Sequence, residues 1–357
     1  MTERAREREP EFTFELRVCR WAERAWEPAR TDSAVLVARQ LGTRARRWDT
    51  IVIECDPEGL EARACFGTER LDSDLLGVVR NAPREWSWYR EALPEPDYPW
   101  RYVREAVHRA ADRGIVESRK RDGRIELRRR WRYPDWVRRI VAIENKPDLD
   151  ASAARALADQ TERDVALALA DEVWVATRRT GASVEPALLE RLPVQAGILS
   201  FDASENGEET GYGSETGEPE VVWHPRSLAV PDPGTRILDR PEGSEHDRSA
   251  ARFEYADPGW KAEKRLEIAE RAYERGWRSY ADTMRPDCRH FELREPAGPI
   301  PWCAAKGRSP TDRECSGSCP AFSPEPPAWR TRGWPIEGGP GKGQKRLLDR
   351  QRRRRRE

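Results

Sequence analysis

Between residues 137 and 202 the chain alternates strand-like and helix-like segments joined by short links, and few architectures accept that order. VRRIVAIENK at 137–146 is an apolar run rich in β-branched residues, as a buried strand requires. ASAARALADQTERDVALALA at 151–170 is dominated by the strong helix formers alanine and leucine. DEVWVAT at 171–177 reads as a strand, VEPALLERL at 184–192 as a helix and AGILSFD at 196–202 as a strand. This series predicts an α/β sheet with at least one parallel pair, because parallel neighbours need a crossover of helical length. Upstream, residues 11–28 show helical spacing, with Phe14, Val18, Trp21, Ala22 and Ala25 on one face. Residues 34–41 and 48–55 read as strands, DPEG at 56–59 as a turn, and EARACFG as a short third strand.

Charged groups stand on two of these strands. Asp49 lies in RRWDTIVIEC. Glu144 and Lys146 close IVAIENK two positions apart, so both side chains point to one face. Gln160 lies on the helix that follows. Hydrolysis of a phosphodiester needs a polarised phosphoryl group, an activated water and a stabilised leaving oxygen, and Mg2+ supplies all three. Mg2+ takes oxygen ligands and keeps several waters. Asp49 and Glu144 are therefore the expected ligand pair, with the carbonyl of Asn145 able to join them. Lys146 is the expected group on the attacking water or the phosphate, and Gln160 the expected hydrogen-bonding assistant. The alternative, ordinary polar residues closing a strand, sits poorly with a lysine at the end of so apolar a run.

Residues 69–133 interrupt this pattern. RLDSDLLGVVRNAP, PREWSWYREALP and PWRYVREAVHRAADRG read as three helices separated by prolines, followed by IVESRK, a turn at RDG, and RIELRRRW. Three helices and a hairpin are the pattern of a winged helix-turn-helix, a duplex-gripping unit. The hairpin is then the wing, with Arg119, Lys120, Arg121 and Arg124 near its tip. The following RRRWRYPDWVRR adds arginines that suit phosphates and aromatics that either stack on bases or fill a core.

The order helix, strands with an Asp, strand with E-x-K, helix, strand resembles the PD-(D/E)XK, or restriction-endonuclease-like, superfamily over about 11–55 and 137–202. The resemblance implies a restriction-endonuclease-like mixed sheet flanked by helices. Its core would be discontinuous, 11–68 and 134–202, with 69–133 as the winged-helix-like insert. It also implies a Mg2+-dependent nuclease acting on DNA, in repair, restriction or mobile-element processing. Asp49, Glu144 and Lys146 would be the metal-binding and catalytic set, with Glu15 of the first helix as a supporting acid and Glu23 the weaker choice for that role. Trp48 precedes the aspartate where proline is usual, and the long separation of Asp49 from Glu144 requires the insert. Members of this superfamily often keep the fold and lose activity. The alternative is thus a non-catalytic DNA-binding protein on an inactive scaffold, although all three signature residues are present here.

Cys288, Cys303, Cys315 and Cys319 share one polar segment with little apolar matter to hold it together. Such a segment needs a staple. Four thiolates ending in C-x3-C suit tetrahedral Zn2+, with His290 able to replace one ligand. A 4Fe-4S cluster is the alternative. Nucleases of the superfamily that carry such a cluster place one cysteine upstream of the core. Here all four follow it, which predicts an independent module at 259–323, headed by an amphipathic helix at 259–281. Cys19, Cys55 and Cys65 sit in apolar contexts and read as core residues. Residues 203–258 read as a largely disordered Gly-, Glu- and Ser-rich linker, with VVWHP as a terminal strand, and 324–357 as a disordered basic tail ending in RRRRR.

The formal net charge is zero, so overall charge selects no partner and only its uneven distribution points to DNA. No apolar run reaches the length of a membrane span, and the charged amino terminus lacks a secretory apolar stretch, so a cytoplasmic protein with no membrane partner is expected.

Overall fold

The computed structural model describes residues 11–179, 189–202, 219–239, 252–282, 284–285, 288–294, 300–311, 313–316 and 318–324. Most of the expected helix at 184–192, the Gly- and Glu-rich opening of the expected linker and the arginine tail beyond 324 lie outside these residues.

Helix α1 (Glu11–Ala25) buries Phe14, Leu16, Val18 and Ala22. It leads into the antiparallel hairpin of β1 (Ala34–Gly42) and β2 (Arg47–Cys55). The turn expected at 56–59 and the third strand expected at 61–67 are instead covered by one helix, α2 (Pro57–Ala64), and the turn after it. Asp56 caps it by accepting from Gly59 N at 2.7 Å, and Pro57 occupies the first turn, where its missing N–H costs nothing.

The insert holds α3 (Ser73–Asn81), β3 (Ser87–Trp88), α4 (Tyr89–Ala92), α5 (Trp100–Asp112), β4 (Val116–Arg121) and β5 (Arg124–Arg129). Its strands form a separate sheet in the order β3-β5-β4. The helix expected across 83–94 is shorter than the pattern suggested. Ser87 and Trp88 pair with Leu127 and Glu126 instead, leaving one helical turn. Leu75, Val79, Val103, Ala106, Val107 and Leu127 fill a core of the insert's own.

Strand β6 (Val137–Lys146) centres the main sheet. It is followed by α6 (Ala151–Leu167), capped by Asp150, then β7 (Glu172–Arg178), β8 (Gly197–Phe201) and β9 (Glu220–Trp223). The order is β1-β2-β6-β7-β8-β9. β6/β7 and β7/β8 are parallel and the other pairs antiparallel, so the sheet is mixed and flanked by helices, as expected.

Beyond it, the expected linker holds more structure than its composition suggested. β10 (Gly234–Asp239) and β11 (Arg252–Ala256) pair as an antiparallel ladder. Helix α7 (Pro258–Arg275) ends at Gly276, whose positive φ of 58° relieves a side chain's strain, and a 3-10 turn over Trp277–Asp282 replaces the last part of the expected helix. A short ladder of β12 (Phe291–Arg294) and β13 (Ile300–Cys303) closes the described chain.

The centre of β6 is fully buried because both faces are covered. Val141 and Ile143 pack with α1, while Ile140 and Ala142 pack with Ile268, Ala269 and Ala272 of α7. The cysteine segment is not independent of this core. Met284, Cys288, Phe291 and Cys315 belong to the same buried cluster as Phe14 and Val18 of α1, and Arg278 pairs with Glu23. Glu23 is thus a tether to the C-terminal segment rather than a member of the acidic site. None of the described helices is long and apolar enough to cross a membrane.

Candidate active site

The registers bring the two sequence motifs together. Thr50 of β2 pairs with Ile143 of β6, so the next step of the ladder sets Asp49 against Glu144. Directly opposed residues of an antiparallel pair share a face. The ladder stops here, and the Asp49 side chain takes over its end: Asn145 N donates to Asp49 Oδ2 at 2.9 Å. This is the carboxyl end of a parallel strand, where open α/β sheets present their ligands.

Glu15 joins from α1. It is buried, accepts from Arg39 Nε and Nη2 at 2.9 and 3.1 Å, and shares the amide of Gln40 with Asp49, each at 3.1 Å. Gln40 holds this bridge with φ 54°, in the left-handed region that non-glycine residues seldom adopt. Lys146 Nζ lies 2.6 Å from Glu11 Oε1. Burial would lower its pKa, but Glu11, Asp49 and Glu144 raise it, so Lys146 is a fixed cation facing carboxylates. Such a lysine can neutralise a phosphate and orient a water more readily than it can take up a proton.

Sequence reasoning missed Arg46 and Asp164. Arg46, on the β1–β2 loop, places Nη2 at 2.7 Å from Glu144 Oε1, off the hydrogen-bonding axis, and at 2.9 Å from Asp164 Oδ2. Both carboxylates are almost wholly buried. An acid on the inner face of an Ala/Leu helix was the available signal for Asp164. Arg46 had none among so many arginines. Gln160, four residues before Asp164 and so on the same helix face, has a buried Oε1 with no hydrogen-bond partner among the described residues.

Burial first, then the charge of Asp49, pushes Glu144 up to about 8, with Arg46 pulling the other way. Burial likewise raises Glu15 and Asp164. A folded-state value above the ordinary 4.5 means that the neutral acid's stabilising contribution, complete below 4.5, is lost as pH rises through about 8. A bound cation reverses that preference. The expected result is an apparent Mn2+ affinity that rises in the wild type as pH rises toward about 8, read by calorimetry.

Among the described residues, no three His, Cys, Asp or Glu groups are drawn to a single coordination centre. The donor set still suits a hard cation. Glu15 pairs with Arg39, Glu144 and Asp164 share Arg46, and Lys146 is a further cation near Asp49 and Glu144, while Asn145 Oδ1 and Gln160 Oε1 are buried acceptors without donors among the described residues.

The four C-terminal cysteines line one cavity of about 20 Å³, with Phe291 and Phe322 beside them, whereas His290 is not in its wall. Arg285 N and Ser323 N direct their N–H groups at Cys315 Sγ and Cys288 Sγ, each at 3.5 Å. Burial and then the neighbouring Cys303, Cys288 and Cys319 raise the Cys315 thiol, against the Arg285 N–H. Cys19 and Cys55 are buried in the core as expected, whereas Cys65 is exposed.

The expected DNA contacts are all exposed on the β4–β5 hairpin. Arg119 is tied to Glu126 at 2.7 Å and lies over Trp86, and Arg124 lies over Trp88. The following aromatic–arginine stretch divides. Trp136 is fully buried, and Arg138 and Arg139 are engaged by Asp32, Asp56, Glu54 and Glu172, whereas Trp131 stays partly exposed.

The fold and this edge define a mixed α/β protein with a buried cluster of carboxylates at the end of its central strands. The chain belongs to DUF5787, a family of unknown function, which matches residues 36–324. No curated protein and no solved structure matches it.

Proposed function

We propose that the protein is a metal-dependent nuclease of PD-(D/E)XK type acting on DNA. The observation that carries this reading is the convergence of Asp49, Glu144 and Glu15, from three separate elements, at the end of β6 beside Lys146. Asp49 and Glu144 would hold Mg2+, with Glu15 and Gln40 fixing Asp49. When bound, the cation would polarise the scissile phosphate and lower the pKa of a water. Lys146 orients that water and offsets phosphate charge, and Gln160 supplies an acceptor for it. Arg46, lodged between Glu144 and Asp164, occupies the place beside Glu144 that a cation would share.

The insert supports a DNA partner. Its order of helix, strand, two helices and two strands, with the first strand pairing the last, is that of a winged helix, and Arg119, Lys120, Arg121 and Arg124 crown its hairpin. The cysteine cavity supports a structural metal, Zn2+ first and a 4Fe-4S cluster second, because four cysteines line one small cavity in a polar segment. Elemental analysis of purified protein should find Zn2+ near one per chain, or iron with sulfide. A metal-free protein that melts normally would remove this part of the reading.

The test of activity is plasmid nicking. Wild type should nick in Mg2+, and Lys146→Ala should not. Cleavage that persists in Lys146→Ala assigns the activity elsewhere. DNA binding without cleavage under any divalent cation favours a non-catalytic DNA-binding protein on the same scaffold.

A further inference from the structure

A cleft of about 780 Å³ opens beside the carboxylate cluster, between the β1–β2 loop, the entry to α3, the C-terminal turn of α6, strand β10 and helix α7. Arg46 and Asp164 form part of its wall, so the cleft runs directly to the pair that holds Glu144. Seven cationic side chains line it against three carboxylates. Their pairing is incomplete. Arg44 is exposed and has no ion pair among the described residues, and Arg70 meets Glu274 only at 3.9 Å. Arg271 donates to the carbonyls of Gly42 and Glu267. Burial is the main cause that lowers its pKa; Glu267 opposes it, and Arg70 and Arg275 add to it. Thr43 and Ser73 aside, the rest of the lining is apolar, including Leu71, Leu238, Ile268 and the half-buried Trp260, over whose ring Arg236 lies at 5.1 Å.

Arginines alternating with an apolar, aromatic floor match one kind of polyanion. Duplex DNA turns its phosphates outward and keeps its bases stacked inside, so it has no use for an apolar floor. A single strand offers both its phosphates and the faces of its bases. We infer that this cleft binds a single-stranded nucleic-acid segment, with phosphates on Arg44, Arg70 and Arg163 and a base against Trp260, and leads it to the carboxylate site. The inference rests on the nuclease reading for the fate of the strand but not for its binding.

The test is fluorescence anisotropy with labelled oligothymidylate, Ca2+ replacing Mg2+ to prevent turnover, alongside nicking in Mg2+. Arg44→Glu/Arg163→Glu alters two exposed side chains and should weaken binding at least about tenfold, lowering the salt slope by about 1.4, the share of two single-strand phosphate contacts. Trp260→Ala should weaken binding about tenfold while leaving the slope unchanged. A blunt duplex of matched length should bind this cleft less tightly and respond little to either variant. Wild-type affinity in both variants, with melting temperatures retained, overturns the cleft, as does equal response of duplex and single strand. Lost binding in the variants without cleavage by wild type sustains the cleft and ends the nuclease reading. Full cleavage and full binding in the variants does the reverse.

Discussion

Asp49→Asn should reduce Mg2+-dependent cleavage by about a thousandfold or more while leaving the melting temperature within about 1 °C of wild type. The substitution keeps the shape and an oxygen that can still accept from Asn145 N, so the end of the β2–β6 ladder survives. It removes the charge that pairs with a cation, and several kcal/mol of transition-state stabilisation by that cation corresponds to about three decades of rate. Gln40, which now bridges Glu15 and Asp49 through one amide, keeps its partner on α1. A variant that cleaves within about threefold of wild type would show that Asp49 holds nothing essential to the reaction. Cleavage that vanishes together with the folded state would make the residue structural.

Glu270→Ala should be the most destabilising single change among the described side chains. Glu270 and Arg63 have no exposed side-chain surface. The carboxylate accepts from Arg63 Nε at 2.6 Å, from Tyr133 OH at 2.7 Å and from Leu71 N at 2.8 Å, joining α7 to α2 and to both ends of the insert. Its loss strands the Arg63 charge in the interior, a cost of about 3–5 kcal/mol. The melting temperature should fall by about 10 °C. The double variant Arg63→Met/Glu270→Met removes both charges and should recover much of that loss, since replacing a whole buried ion pair by apolar groups is often near neutral. A Glu270→Ala protein melting within about 2 °C of wild type would show that water reaches this pair.

The sequence made the main sheet legible because its strands obey simple rules. IVAI in β6 is apolar at every position, and the mixed sheet covers both its faces. Asp49, Glu144, Lys146 and Glu15 were identifiable as residues, but their meeting depends on the register Thr50–Ile143, which no local pattern encodes. Arg46 and Gln40 were illegible for the same reason: a loop arginine and a strand glutamine gain meaning only from partners on other elements. The errors were local. DPEG and EARAC read as turn and strand until Asp56 capped a helix across them. The 3.6-residue pattern in 83–94 yielded to strand pairing by Ser87 and Trp88. The cysteine segment looked separate because its sequence is polar, yet Phe291, Cys288 and Cys315 close over α1.

The most direct measurement is electron paramagnetic resonance of Mn2+ titrated into wild type, Asp49→Asn and Glu144→Gln. Thiols select Zn2+ over Mn2+, so the cysteine cavity does not compete for the probe. A shared cation predicts that wild type quenches the free-ion signal at one tight site per chain and that either substitution alone abolishes it. Identical titrations in all three proteins, or no tight site in wild type, would contradict the account.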